Sequence, residues 1–282
     1  MQTMAVVNQK GGCGKTTTAV NLAVALAERG KSVVLIDLDP QAHATLALGC
    51  DPDGLHQTIG DALADPQGRL SDALVATSVE GLSLVPANIL LASADLLLWR
   101  QPQREMLLAA RLRDVRDGYD MCVMDCAPSF GMLTINAIVA STDVIVPVQT
   151  QYYSLEGLRR VLESIRTVQS QVCPHSAERQ RILLTCVEER TLAGRQIQQQ
   201  VRDSFRSRVF ETVIHRDVRL SEAPSAGESA LTYAPRCRGA REYRQLAAEV
   251  VGSSEVVPAG RNGGNRRGLQ KDLSAFFRIN AN

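Results

Sequence analysis

At 282 residues, with 45% hydrophobic residues, 22% charged residues and a net charge of +1, the chain has the composition of one large folded domain or two small ones. No apolar run approaches the roughly 18 residues of a membrane-spanning helix, and the opening MQTMAVVNQK lacks the layout of a signal peptide. Seven cysteines without CxxC or Cys/His spacing point away from a disulfide framework and a zinc centre, and towards a reducing cytoplasm.

The first apolar run, AVV at 5–7, reads as a buried strand, and the loop NQKGGCGKTT follows it directly. Few residues precede that strand, so an N-terminal helix-turn-helix is not expected. The strict phosphate-loop pattern G-x-x-x-x-G-K-[ST] wants a glycine where Gln9 stands. What remains is a strand, then Lys10, Gly11, Gly12, Cys13, Gly14, Lys15, Thr16 and Thr17, then the helical pattern TTAVNLAVALAERG. Glycines at these positions let backbone N–H groups turn towards an anion at a helix N-terminus. Lys15 is placed to reach β- and γ-phosphates, and Thr16 to ligate Mg²⁺. Lys10 is the surplus cation. The chain uses 27 arginines and only 4 lysines, and half of its lysines sit in this loop. That choice favours a compact charge with rotatable donors over a planar guanidinium.

Beyond the helix, VVLI at 33–36 reads as a second strand running into Asp37 and Asp39, and LSLVP at 82–86 as a third. A helix is expected over QREMLLAARLRDVR, then a strand MCVM at 121–124 that delivers Asp125. Asp125 follows four apolar residues and precedes Ala127-Pro128, which makes it the strongest candidate for the acidic Mg²⁺ partner at a strand end. Cys122 and Cys126 flank it and read as small buried hydrophobes. VIVPV at 144–148 and ILLTCV at 182–187 are further strands, with helices over SLEGLRRVLESIRTV and GRQIQQQVRDSF, and a last helix over about 240–250. Continuous apolar strands alternating with helices predict an α/β fold, a mostly parallel twisted sheet with helices on both faces.

The domain is expected to span 1–251. Residues 252–282 read as a flexible linker rich in Gly, Pro, Ser and Asn, followed by a short basic amphipathic tail with Leu269, Leu273, Phe276 and Phe277 on one side. Charge is split unevenly: up to His175 there are 13 basic and 18 acidic residues, and after it 18 basic and 12 acidic. The basic C-terminal part suggests a face for a polyanion.

Five ordered segments, KGGCGKTT, DLDPQAHATLALG, YDMCVMDCAPSFGMLTINAI, VIVPVQTQYYSLEGL and VRLSEAPSAG, resemble the ParA/Soj partition ATPases of the deviant Walker A class of P-loop NTPases, from about residue 5 to 251. The resemblance implies ATP and Mg²⁺ as cofactors. It implies a homodimer in which Lys10 crosses to the partner's nucleotide while Lys15 holds its own. Asp39 matches the aspartate that positions water, within a γ-phosphate switch from Asp37 to Gln41, and Thr16, Asp39 and Asp125 form the metal set. It also implies non-specific binding of double-stranded DNA by the ATP dimer, release when a ParB-type centromere-binding protein stimulates hydrolysis, and a cytoplasmic, nucleoid-associated location. Arg190 and Arg219 match the family's DNA-contacting arginines; Arg195, Arg216, Arg236, Arg238 and Arg241 are candidates on charge alone. Cys13 stands where valine is usual and His43 where asparagine is. His215-Arg216-Asp217 replaces Pro-Arg-Asn near the adenine position, with Arg216 the expected nucleotide contact. A MinD-like membrane switch is the alternative, motivated by the basic tail. An iron-sulfur reductase of the nitrogenase iron-protein type shares the loop class, but none of the seven cysteines stands out as a cluster ligand.

Overall fold

The computed structural model describes residues 1–150, 154–188 and 191–254. In chain order the elements begin β1 (Gln2–Val6), α1 (Lys15–Glu28), β2 (Val33–Leu38), α2 (His43–Leu46) and α3 (Ile59–Ala64). Next come β3 (Val75–Ala76), β4 (Leu82–Val85), α4 (Leu91–Leu98), α5 (Leu107–Arg111), β5 (Met121–Cys126) and α6 (Met132–Ala140). The last third holds β6 (Asp143–Gln149), α7 (Ser154–Gln171), β7 (Arg179–Thr185), α8 (Leu192–Phe205), α9 (Arg219–Glu222), α10 (Ala230–Tyr233) and α11 (Arg238–Ser254).

Among the described residues the strands form one seven-stranded sheet in the order β3-β4-β2-β5-β1-β6-β7. Every pairing is parallel except the short β3 against β4. The inner strands β1, β2, β5 and β6 are buried almost end to end, which is why their sequences run apolar without alternation. Edge strand β7 opens with the half-exposed Arg179, Gln180 and Arg181 and becomes apolar only from Ile182. Pro147 interrupts β6 beyond Ile145, the last residue of β6 paired with β1, so no ladder bond to β1 is lost there.

Two hydrophobic cores lie on opposite faces of the sheet. On one face α1 packs between the sheet and α11; its KTTTAVNLAVALAE sequence buries residues all the way round, as its double contact requires. Asn21 fixes α1 further, donating from Nδ2 to the Thr17 carbonyl (2.7 Å) and accepting the Ala230 amide (2.8 Å). The other face carries α3 to α7, and α8 contributes Ile197 and Val201 to it.

The six expected strands all appear, and the two-residue β3 is an addition too short to show a pattern. The helix expected over 103–116 is broken into a 3-10 turn Arg104–Met106, the five-residue α5 and two further 3-10 turns, Leu112–Asp114 and Arg116–Gly118. Tertiary contacts override the helical pattern here. Buried Asn136 of α6 accepts the Leu108 amide at 3.0 Å and donates to the Arg104 carbonyl at 2.7 Å, replacing bonds that a continuous helix makes for itself. The last helix starts at Arg238 and runs through Gly252 to Ser254, while the linker and amphipathic tail expected beyond it lie outside the described residues.

Replacing Asn136 by Ala strands the buried Leu108 amide and the Arg104 carbonyl, so we expect a loss of about 1–3 kcal/mol. A urea titration followed by circular dichroism checks it, with a lowered midpoint at unchanged slope as the expected outcome.

Candidate functional site

A cleft of about 810 Å³ opens at the C-terminal ends of the strands, lined at one end by Gly11, Gly12, Gly14, Lys15, Thr16 and Thr17 and at the other by Ile214, His215, Arg216, Asp217 and Leu220. The loop between β1 and α1 owes its shape to Gly12 at φ 70° and Gly14 at φ 88°, left-handed conformations that side chains resist. A β-carbon on Gly11 or Gly12 would meet nothing within 4 Å, so the space above the loop is open. Gly14 begins α1 without any side-chain cap, leaving the first-turn N–H groups of the helix available to an anion.

Neighbouring strands clamp the loop from below. Asn8 donates to the Pro147 carbonyl (2.7 Å) and accepts the Lys10 amide (3.0 Å). The Thr185 hydroxyl donates to the Cys13 carbonyl at 2.8 Å, and the Gln149 side chain donates to the Gly12 carbonyl. Cys13 is buried with its thiol turned to the Lys10 carbonyl at 3.1 Å, and burial pushes that thiol up. The two lysines have opposite environments. Lys15 is 7% exposed and its Nζ donates to the Lys10 carbonyl at 3.2 Å, whereas Lys10 lies exposed on the lip of the loop.

Strand pairing brings the carboxylates together. Asp37 of β2 and Asp125 of β5 are direct partners in the parallel register, and Asp125 is also level with Val6, from which the loop departs. Both are fully buried. Asp37 is saturated: Oδ1 accepts the Asp39 amide (3.0 Å), and Oδ2 accepts the Thr45 amide (2.9 Å) and hydroxyl (2.8 Å). Neither oxygen of Asp125 has a hydrogen-bond partner among the described residues; the Thr16 hydroxyl favours its charged form without reaching hydrogen-bond geometry. Burial, reinforced by the neighbouring Asp37, drives the Asp125 carboxyl well above the usual range, and burial pushes Asp37 up to about 6. Asp39 sits at the cleft wall and accepts the Gln41 amide at 3.0 Å.

An orphaned buried carboxylate beside a threonine hydroxyl fits a divalent cation, while the uncapped helix N-terminus next to it suits the phosphate that would accompany one. Among the described residues no three His, Cys, Asp or Glu converge on a metal position, so such a cation would draw most of its ligands from phosphate and water, as Mg²⁺ does.

At the far end of the cleft His215 is buried, with Nδ1 at 2.6 Å from Glu242 Oε1 and its amide donating to Oε2 at 2.8 Å. Arg216 is exposed and pairs with Glu188 at 3.1 Å. Of the arginines expected on a polyanion face, Arg195, Arg219, Arg236, Arg238 and Arg241 are all exposed, and Arg190 lies outside the described residues. Arg219 pairs with Glu222 at 2.6 Å, and Arg238 pairs with the Glu242 that holds His215, at 2.7 Å. The sequence motifs assign no role to Thr45, Gln149 or Thr185. Gln149 and Thr185 are the polar last residues of apolar strands, a signal that was available, whereas only the fold shows Thr45 reaching back to Asp37.

The raised carboxyls make the stability of the nucleotide-free protein pH-dependent. Unfolded, Asp125 titrates near 4; folded, it keeps its proton to higher pH, so stability falls as pH rises from about 4 through the folded value. Asp125→Asn removes that cost. We expect it to raise the melting temperature of the nucleotide-free protein at pH 8 and to have a diminishing effect towards pH 5, as differential scanning fluorimetry checks.

A family model described as an AAA domain matches residues 1–177. The chain is 46% identical over 248 residues to the sporulation initiation inhibitor protein Soj of Bacillus subtilis, covering 88% of this chain and 97% of that protein. It is 40% identical over 250 residues to the chromosome-partitioning ATPase Soj of Treponema pallidum, covering 89% and 97%. A solved structure described as cobyrinic acid a,c-diamide synthase from Mycobacterium smegmatis with bound ATP analog and magnesium superposes with a TM-score of 0.78 at 34% identity, covering 91% of this chain and 96% of that one. Identity at this level along nearly the full length of the two Soj proteins, joined to a phosphate loop clamped beside paired strand-end aspartates, makes this chain a member of the Soj/ParA family of partition ATPases.

Proposed function

We propose that the cleft binds ATP with Mg²⁺ and that two ATP-loaded subunits close face to face into a dimer that coats DNA. The observation that carries this is the contrast between the two lysines: Lys15 is buried within its own loop and Lys10 is exposed on its lip. Lys15, the loop amides of Gly11 to Gly14 and the first turn of α1 with Thr16 and Thr17 are suited to the subunit's own phosphates. Lys10 is suited to a partner's. Two triphosphates brought together repel strongly in a space from which water is excluded, and one added ammonium group per site offsets that repulsion. Dimerisation then depends on nucleotide.

Thr16, Asp125 and Asp39 would hold the cation, directly or through water, and a bound cation would neutralise phosphate charge. Asp39 orients the attacking water, and Asp37 holds the strand-to-α2 turn in place through Thr45. Asp39, at the cleft wall, is the base we assign, and turnover is slow until a ParB-type partner completes the site. Arg216 contributes at the base end of the cleft. Arg219, with Arg190, Arg195, Arg238 and Arg241, supplies the DNA face, whose affinity comes from counterion release and ignores sequence. This ATPase unit runs from residue 1 to the end of α11 at Ser254, with the rest of the chain as an appended tail, and it acts on the nucleoid in the cytoplasm. No described helix is long and apolar enough to cross a membrane. The MinD-like alternative depends on residues 269–277, which lie outside the described part of the chain.

Lys15→Ala should abolish ATP binding, while Lys10→Ala should bind ATP as a monomer and fail to dimerise; size-exclusion chromatography with a non-hydrolysable analogue separates the two, and a normal dimer of the Lys10 variant refutes the trans role. Asp39→Ala should hold ATP without turnover and stay on DNA; hydrolysis at the wild-type rate removes Asp39 from the mechanism. Arg219→Glu should dimerise normally yet lose DNA affinity, with the slope of log K against log salt reduced by about one per arginine removed.

A further inference from the structure

The segment carrying Arg219 closely approaches the chain that follows the Asp37–Gln41 switch. After α2 the chain turns at Gly49 (φ 75°), and Gly227 (φ 68°) ends the 3-10 turn Ala223–Ala226 that continues directly from α9. The two glycines meet backbone to backbone. A β-carbon on Gly227 would lie 3.0 Å from Gly49 Cα and 3.4 Å from Gly49 N, and one on Gly49 would lie 3.2 Å from the Gly227 carbonyl oxygen. Beside this contact lies a cleft of about 410 Å³, lined by α2 with Leu46 and Ala47, by Thr16 and Asn21 of α1 and by the stretch from Ala223 to Ala230.

Each partner in the contact is tied to one of the two functions. The Gly49 side is anchored to the phosphate end: Asp37 holds the Thr45 amide and hydroxyl, and the Thr45 carbonyl in turn accepts the Leu48 and Cys50 amides that flank Gly49. The Gly227 side is a short rigid piece. Asp217 accepts the Arg219 amide (3.0 Å) at its start, and the Gly227 and Glu228 amides close onto the Pro224 and Ala223 carbonyls at its end. Just beyond, Ala230 is pinned to Asn21 of α1. At its start the piece is also held on α11, where Asp217 accepts the Gly239 amide at 2.9 Å, so it is fixed at both ends and meets the chain after α2 at Gly49.

We propose that the Gly49–Gly227 contact couples the nucleotide switch to the Arg219 segment, so that DNA affinity follows nucleotide state through this backbone-to-backbone approach. The inference rests on the DNA role of Arg219 given above. Close packing of two glycines transmits small displacements because no flexible side chain lies between them to absorb the shift.

The test compares Gly49→Ala and Gly227→Ala with Gly30→Ala, whose position has the same left-handed backbone (φ 75°) but nothing within 4 Å of the added carbon. Gly30→Ala thus reports backbone strain alone. DNA affinity is measured by fluorescence anisotropy with ADP and with a non-hydrolysable ATP analogue, alongside dimerisation by light scattering. Coupled sites typically differ in affinity by about 5- to 150-fold between states. That ratio should fall towards one in Gly49→Ala and Gly227→Ala while both still dimerise with the analogue, and should be unchanged in Gly30→Ala. A wild-type ratio in both contact variants overturns the coupling, as does loss of the dimer together with DNA binding. If Arg219→Glu leaves DNA binding intact, it is the DNA role of Arg219 that fails, a distinct result. Should the contact variants not fold, hydrogen exchange on the wild-type chain decides: the Gly227 and Glu228 amides must change protection between ADP and the analogue, and identical protection overturns the proposal.

Discussion

Two buried carboxylates placed level on adjacent parallel strands are the constraint around which this molecule is organised. Pairing Asp37 with Asp125 puts two carboxyl groups out of water beside each other, where ionising both costs stability unless each finds compensation. The fold treats them differently. Asp37 takes three donors from the chain that follows it and thereby shapes the strand-to-α2 turn. Asp125 takes none among the described residues, and its unmet demand at the root of the loop is the feature that suits it to a cation. One carboxylate is spent on structure and the other is left with its oxygens unengaged.

The same division governs the positive charges above them. Lys15 belongs to the first residue of α1 and is drawn into the loop, where the Lys10 carbonyl receives its ammonium group. Lys10 stands on the lip because Asn8 and Cys13 hold its backbone from both sides and the glycines beside it leave open space. Clamping by Asn8, Gln149 and Thr185 makes the loop a preformed cradle, so little ordering entropy is lost when an anion enters. Preorganisation of this kind suits tight binding of the nucleotide's phosphates.

Much of the architecture was legible before any coordinates. Central strands of a parallel sheet are buried on both faces, so runs such as VVLI and MCVM carry their assignment in composition alone, and the loop and its aspartates follow from where those runs end. The segment at 103–116 shows the limit of that logic. Its spacing suits a helix, yet Asn136, more than twenty residues downstream, captures backbone groups that the helix needs, and no local pattern announces a remote side chain. Charge counting was similarly incomplete for the arginines: Arg238 is tethered through Glu242 to buried His215, a contact that joins different parts of the chain.

By itself the sequence determined the element types, the phosphate loop and the identity of the acidic and basic groups around it, because each of these follows from short-range periodicity or residue chemistry. Only the tertiary structure decided which aspartate is satisfied and which is orphaned, which lysine is buried and which exposed, and that Gly49 meets Gly227. Those outcomes depend on strand register, on side chains contributed by β6 and β7, and on backbone approach between segments nearly the length of a domain apart, and such distances in space are not written in distances along the chain.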